Sequence, residues 1–269
     1  MPELPDLEAM KSFLNRRLPG LVIEEAQALI PVVIRLPRAD FESVLKGNAF
    51  EETWRRGKFL LFPLKSGHVM ALNPMLTGRL QYVSADEKRR ARTCFVLGLS
   101  NGCHLRYVDE RFMGKLYVVL SDRLDDVPQF AAMGPDALSP ELSREVFEER
   151  LKRFNGQIKN ILLNQRFIAG IGNAYADEIL FAARIFPFRK RSALTAEEAG
   201  RLHAAMHSVL TEAAGIVEER TRDELPLEEV RDFLKVHRRG GEACPNCGGR
   251  ISEITAGNRV TSFCRRCQT

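Results

Sequence analysis

Cys244-Pro-Asn-Cys247-Gly-Gly-Arg-Ile-Ser-Glu-Ile-Thr-Ala-Gly-Asn-Arg-Val-Thr-Ser-Phe-Cys264-Arg-Arg-Cys267 decides how the C-terminal part of the chain is read. Two CxxC pairs stand sixteen residues apart, a spacing suited to a ribbon in which four thiolates hold one tetrahedral zinc. Each pair fits a tight turn, and Ile251, Ile254, Val260 and Phe263 between them predict a hairpin. The zinc is structural: it supplies stability that so short a segment cannot draw from its own core. Two disulfides or a redox CxxC are the competing readings. The lack of a secretory pattern opposes the first and the paired arrangement opposes the second. Cys94 and Cys103 lie in apolar strand patterns and read as buried structural thiols.

Charge gathers around this module. From Arg238 to Thr269 the chain carries six arginines against two glutamates, and the whole chain of 269 residues has a net charge of +5. Further basic clusters sit at Arg55, Arg56 and Lys58, at Lys88 to Arg92, and at Arg189 to Arg191. Together they point to a nucleic-acid partner. Hydrophobic residues make up 45% of the chain, enough for a real core. No apolar run approaches the roughly eighteen residues of a membrane span, so no membrane association and a cytoplasmic location are expected.

Upstream of the ribbon the periodicity is helical. Phe147, Leu151 and Phe154 share a face, as do Ile158 and Leu162, and Thr195-Ala-Glu-Glu198 is a capping box that opens a long helix. Gln165 to Glu178 joins two helices through Gly170 and Gly172, where the backbone can approach a phosphate closely. Asp223 to Val236 reads as an amphipathic helix bearing Leu227, Val230, Phe233 and Leu234. Ser121 to Pro140 lacks periodicity and reads as a connection. Before it, from Leu21 to Leu120, short β-branched and aromatic runs such as Phe59 to Leu64, Cys94 to Leu99 and Leu116 to Leu120 predict a β-sandwich. Leu7, Met10, Leu14 and Leu18 predict a helix almost at the N-terminus. Trp54 reads as a core residue, and His203 and His207 as a helix flank without a third metal ligand.

That first helix follows Met1-Pro2-Glu3-Leu4-Pro5. Pro2 is small enough to permit removal of Met1, which leaves a secondary amine at the chain end. An α-amino group titrates near pH 7.7 to 8.0, roughly, so part of it is unprotonated at neutral pH and can attack carbon. Attack at a sugar C1′ forms an iminium, acidifies the C2′ proton and promotes strand cleavage. Glu3 is placed to accompany it as acid and base.

MPELP, Arg55-Arg-Gly-Lys58, the Gln165 to Glu178 run and the terminal CxxC pairs, in this order over nearly the whole chain, resemble the formamidopyrimidine-DNA glycosylase and endonuclease VIII family. The resemblance implies an α+β multidomain protein. Its parts are an N-terminal β-sandwich with an N-terminal helix (1–125), a helix-two-turn-helix domain (126–238) and a four-cysteine zinc finger (239–269), with damaged duplex DNA held between domains by a monomer. The implied activity is base excision with abasic-site lyase activity by β,δ-elimination, in the nucleoid. Pro2 is then the Schiff-base nucleophile, Glu3 its acid and base, and Lys58 a phosphate contact that supports catalysis. Asp6 shortens a familiar glutamate and joins the catalytic candidates. Asn173 and Arg259 match phosphate-binding positions, Lys159 is a further DNA-binding candidate, and His237 replaces a frequent phosphate-binding tyrosine. Cys244, Cys247, Cys264 and Cys267 are the zinc ligands.

Three stretches depart from the family pattern. Asn73-Pro-Met-Leu76-Thr-Gly78 lacks its usual histidine and puts Leu76 at the void-filling methionine, while Asp109-Glu-Arg111-Phe-Met113-Gly114 keeps the arginine that faces the orphaned base and puts Met113 at the wedge phenylalanine. The purine-capturing lid between Arg220 and His237 is shortened. These departures rank formamidopyrimidines and oxidised pyrimidines first as substrates, 8-oxoguanine second and bulky bases third. They also motivate an alternative, a catalytically weak paralogue that binds damaged DNA. A zinc-ribbon transcription or RNA-binding factor would explain the C-terminus and leave MPELP without a purpose.

Overall fold

In the computed structural model, which describes residues 1–257 and 259–269, the chain divides into two compact units. The first comprises 1–131 with 215–230, and the second 132–214 with 231–269.

The first unit opens with α1 (Leu4–Asn15), N-capped by Glu3, whose backbone N–H donates to Asp6 Oδ2 at 2.7 Å. Pro5 in the first turn loses no helical hydrogen bond there. Leu7, Phe13 and Leu14 are buried in one core cluster with residues of two antiparallel sheets. Along the chain follow β1 (Ile23–Ala28), α2 (Arg38–Leu45), β2 (Trp54–Arg56), β3 (Phe59–Pro63), β4 (His68–Asn73), β5 (Gly78–Ser84), β6 (Thr93–Leu99), β7 (Cys103–Asp109) and β8 (Lys115–Leu120). One sheet runs β1-β6-β7-β5 and the other β2-β3-β4-β8. Strand β6 is buried along its whole length, as a central strand covered on both faces must be. This is the expected sandwich. Trp54 is 37% exposed, stacking edge-on to Phe130 instead of entering the core.

The second unit holds α3 (Arg144–Lys152), α4 (Ile158–Leu163), α5 (Asn173–Ala182) and most of α6 (Ala196–Arg220). The capping box before α6 forms as predicted: Glu198 N–H donates to Thr195 Oγ1 at 3.2 Å, and Thr195 N–H to Glu198 Oε2 at 2.8 Å. The ribbon hairpin, β9 (Ile251–Ala256) and β10 (Arg259–Cys264), falls within this same unit. Phe181 of α5 shares a buried cluster with Val236, Cys244, Ile251 and Cys264, and Phe186 and Phe188 meet Phe263 edge-on.

The helix expected over Asp223 to Val236 does not form; the segment is irregular throughout. Leu225 enters the core of the first unit, and Arg79 Nε donates to the Leu227 carbonyl at 2.8 Å. Val236 is buried in a cluster of the second with Phe181, Cys244, Ile251 and Cys264. The segment thus supplies Leu225 to one core cluster and Val236 to another. Tertiary demands override a pattern that is helical in spacing alone. No helix among the described residues is long and apolar enough to cross a membrane.

Candidate active site and nucleic-acid interface

The N-terminus of the first unit is held in place. Pro2, Glu3 and Asp6 are buried at the start of α1, and the terminal ammonium of Met1 lies 2.7 Å from Glu229. Glu229 is also paired with Arg79 at 2.7 Å. Asp6, Arg79, Glu228 and Glu229, with Met10, Thr221 and Pro226, line a small hollow of about 10 Å³, room for about one water. Asp6 therefore does two things: it caps α1 and contributes a carboxylate to the wall of this hollow. Arg79 and Glu229 went unnoticed in the sequence, because they are 150 residues apart and neither lies in a motif.

Lys58 follows Gly57 in the turn between β2 and β3. Gly57 takes φ +56°, which a glycine adopts without the Cβ penalty. Arg55, its side chain 3% exposed, ties the turn down by donating from Nε to Glu8 Oε1 of α1 at 2.7 Å and from Nη1 to the Gly57 carbonyl at 2.8 Å. A lysine on a turn braced to the helix that carries Pro2 has a defined position, and it is half-buried.

Leu76 and Met113 are exposed, at 41% and 37%. The loop bearing Leu76 ends at Gly78 and the loop bearing Met113 begins at Asp109, and these two residues are paired. Asp109 is fully buried and organises both loops. Its Oδ1 accepts from Thr77 Oγ1 at 2.5 Å and from Arg111 N–H at 3.1 Å, and its Oδ2 accepts from Gly114 N–H at 2.7 Å. The Tyr107 hydroxyl lies 3.3 Å from Oδ2 and 3.2 Å from the Pro74 carbonyl. Burial first, and then the Asp109 charge, push the Tyr107 phenol well above its ordinary pKa, so it stays a neutral donor. The same two causes push the neighbouring Cys94 thiol up to about 12, in keeping with an inert structural cysteine. Arg111 is exposed beside the two apolar side chains.

In the second unit the interface candidates gather around β10. Asn173, at the start of α5, donates from Nδ2 to the Val260 carbonyl at 2.8 Å, and its Oδ1 is buried with no hydrogen-bond partner among the described residues. Gln165 shapes the glycine hinge before it, accepting from Gly170 N–H at 2.9 Å and donating to the Ile171 carbonyl at 2.8 Å. Arg259 opens β10 and is exposed, as a phosphate contact requires. His237 Nδ1 lies 2.8 Å from Asp177 Oδ2, which fixes the ring and leaves Nε2 as its other hydrogen-bonding atom.

Lys159 requires a correction. Its side chain is 5% exposed and its ammonium is held inside, 2.6 Å from Asp177 Oδ1, 3.0 Å from the Val260 carbonyl and 2.9 Å from Thr261 Oγ1. It is an internal strut between α4 and the ribbon hairpin. Glu178 plays a related part, accepting backbone N–H groups from Lys235, Val236 and His237 at 2.8 to 2.9 Å. Two buried acids, Asp177 and Glu178, in an otherwise apolar helix were the available signal. A buried charge needs a partner, so each implied a donor elsewhere in the fold. Lys159→Met is expected to destabilise the protein by roughly 3–5 kcal/mol by leaving Asp177 buried without its cation. A phosphate contact would instead lower the salt slope of DNA binding by about one. Denaturant unfolding and a salt titration of binding separate the two.

The four ribbon thiols converge. All Sγ atoms lie within 4.8 Å of one another, with Cys244 and Cys267 at 3.8 Å and Cys247 and Cys264 at 3.6 Å. Tetrahedral Zn–S bonds of about 2.3 Å place sulfurs about 3.8 Å apart, so the donor set fits one structural zinc. Gly248, at φ +68°, lets the chain turn after the first pair.

Comparisons with known proteins cover the chain from end to end. Residues 1–116 match the formamidopyrimidine-DNA glycosylase N-terminal domain, 133–224 its H2TH domain, and 241–269 the zinc finger found in FPG and IleRS. The formamidopyrimidine-DNA glycosylase of Pelotomaculum thermopropionicum is 36% identical over 273 residues, covering 100% of this chain and 99% of the relative. That of Symbiobacterium thermophilum is 39% identical over 274 residues, covering 100% and 89%. Among solved structures, wild-type Lactococcus lactis Fpg in complex with N7-benzyl-Fapy-dG DNA superposes with a TM-score of 0.92 at 27% identity, covering 100% of both chains. A complex of the same protein with DNA containing an abasic site gives 0.91 at 26%, covering 99% of each. With its whole length accounted for in this way, the chain belongs to the formamidopyrimidine-DNA glycosylase family.

Proposed function

We propose that this protein excises damaged bases from duplex DNA with the amine of Pro2 as nucleophile and then cleaves the strand as an abasic-site lyase. Family membership makes it a DNA glycosylase of base excision repair; the lyase step and the residue roles extend that reading. The observation that supports the extension is the position of the amino terminus, which is paired with Glu229 beside Asp6 and Arg79. Once Met1 is removed, the Pro2 nitrogen bonds to C1′ and the bond from C1′ to the base breaks, the base leaving with a proton. Glu3 protonates the ring oxygen as the sugar opens to an iminium. Loss of the C2′ proton then expels the 3′ phosphate, a second elimination expels the 5′ phosphate, and water frees Pro2. Lys58, on its braced turn, holds a phosphate. Leu76 and Met113 enter the space the base vacates and Arg111 faces its former partner. Arg259, Asn173 and His237 hold the backbone.

Borohydride reduction tests the reading directly. Mature protein incubated with duplex containing a formamidopyrimidine or an abasic site is expected to give a covalent adduct of equal parts protein and DNA. Tight lesion binding with neither adduct nor cleavage would establish the non-catalytic alternative instead.

A further inference from the structure

The loops bearing Leu76 and Met113 come from different strand connections, yet they are fastened to one another. We propose that Leu76 and Met113 work as a single rigid double wedge, its spacing set by Thr77, Tyr107 and Asp109, and that these three are positioning residues for opening the duplex. The inference rests on the proposed base excision and names what makes extrusion efficient in this chain.

Four contacts make the fastening. Asp109 Oδ1 accepts from Thr77 on the first loop and from Arg111 N–H on the second, while Thr77 Oγ1 itself accepts from Arg111 N–H at 3.1 Å. Asp109 Oδ2 accepts from Gly114 N–H, which closes the second loop. The Tyr107 hydroxyl fills the space between Gly78 and Gly114: a Cβ at either glycine would collide with it. Tyr107 is in turn stacked on Phe95 at 5.4 Å and 14°, deep in the core. Both loops also hold a non-glycine residue at positive φ, Met75 at +55° and Phe112 at +53°. Such backbone is costly and persists where its surroundings dictate it. Here Asn73 Oδ1 receives Met75 N–H at 3.1 Å and the Asp109 carbonyl receives Phe112 N–H at 3.4 Å.

Rigidity matters because leucine and methionine stack on bases less well than phenylalanine. Extrusion sacrifices stacking and pairing of the flipped nucleotide. An apolar side chain offsets that loss only where its loop is ordered before it enters the helix, since ordering on entry subtracts from the gain. A shared buried anchor orders both loops in advance.

The test is a double-mutant cycle. Leu76→Ala, Met113→Ala and the pair are compared by the fluorescence of 2-aminopurine placed beside a lesion in duplex DNA, which reads extrusion whether or not cleavage follows. Coupled wedges predict that the effect of the pair departs at least about five-fold from the product of the single effects. Thr77→Val is expected to abolish that coupling, and Thr77→Ser to restore it. Thr77→Val should also lower, at least about ten-fold, the ratio of lesion cleavage in duplex to abasic-site cleavage in single-stranded DNA; a general structural defect leaves this ratio unchanged. Should Thr77→Val fail to fold, Tyr107→Phe takes its place. Multiplicative single effects in the unaltered background overturn the inference. Absence of any cleavage by the wild-type protein would overturn the proposed excision alone, because fluorescence still judges the wedge.

Discussion

Protein whose Pro2 nitrogen is an amide, through acetylation or a retained Met1, is expected to form no borohydride-trapped adduct at Pro2 and to cleave abasic DNA at least about a thousand-fold more slowly. That factor corresponds to about 4 kcal/mol in the barrier. The physical reason is the nitrogen lone pair. In a free proline it is available for attack on C1′; in an amide it is delocalised into the carbonyl, and no iminium can form. Pro2→Gly keeps a primary amine at the same place, so it should retain trapping at a reduced rate, whereas acetylated wild type should not. Lesion binding by the blocked protein should survive, because Lys58, Asn173 and Arg259 do not depend on the amine. Mass spectrometry of the active preparation supplies the check on Met1. If molecules that all retain Met1 cleave at the full rate, the nucleophile lies elsewhere.

What could be read from the sequence divides along a physical line. Local chemistry was legible: the CxxC pairs, the capping box at Thr195 and Glu198, and the strands around β6 all follow from short-range spacing, and the structure has them. Features made by residues remote in sequence were not. Lys159 looks like any surface lysine until Asp177, a neighbour only in space, is placed beside it. Asp109 was legible as part of a motif, but its hold on Thr77 arises only when β5 pairs with β7. The segment 223–236 misled for the opposite reason. Its apolar spacing is helical, yet Leu225 and Val236 serve separate clusters and Arg79 takes the Leu227 carbonyl that a helix would use. In the candidate site, Pro2, Glu3 and Lys58 stand in motifs, as does Arg55, whose part as a brace shows only in the fold; Glu8, Arg79 and Glu229 stand in none.

Those remote contacts also determine what losing the metal does. Zinc removal by a strong chelator, or Cys264→Ser, is expected to weaken lesion-duplex binding by at least about a hundred-fold and to lower the unfolding temperature of the whole second unit. Structural zinc contributes about 10–16 kcal/mol to folding in isolated zinc-finger peptides, more than a hairpin of two six-residue strands can replace. The damage should spread because the ribbon is not self-contained. Cys244, Ile251 and Cys264 form one buried cluster with Phe181 of α5 and Val236. The Val260 carbonyl takes the ammonium of Lys159 and the amide of Asn173, and Ser262 N–H donates to Asp177 at 3.2 Å. Freeing β10 therefore exposes the Lys159–Asp177 pair to water and unseats Asn173 and His237 along with Arg259. Arg259→Ala, which leaves the hairpin intact, should cost binding far less and lower the salt slope by about one. Metal analysis, thermal unfolding and salt-dependent anisotropy distinguish these outcomes. Loss of zinc with binding and stability unchanged would mean that the protein interior, not the metal, orders the hairpin.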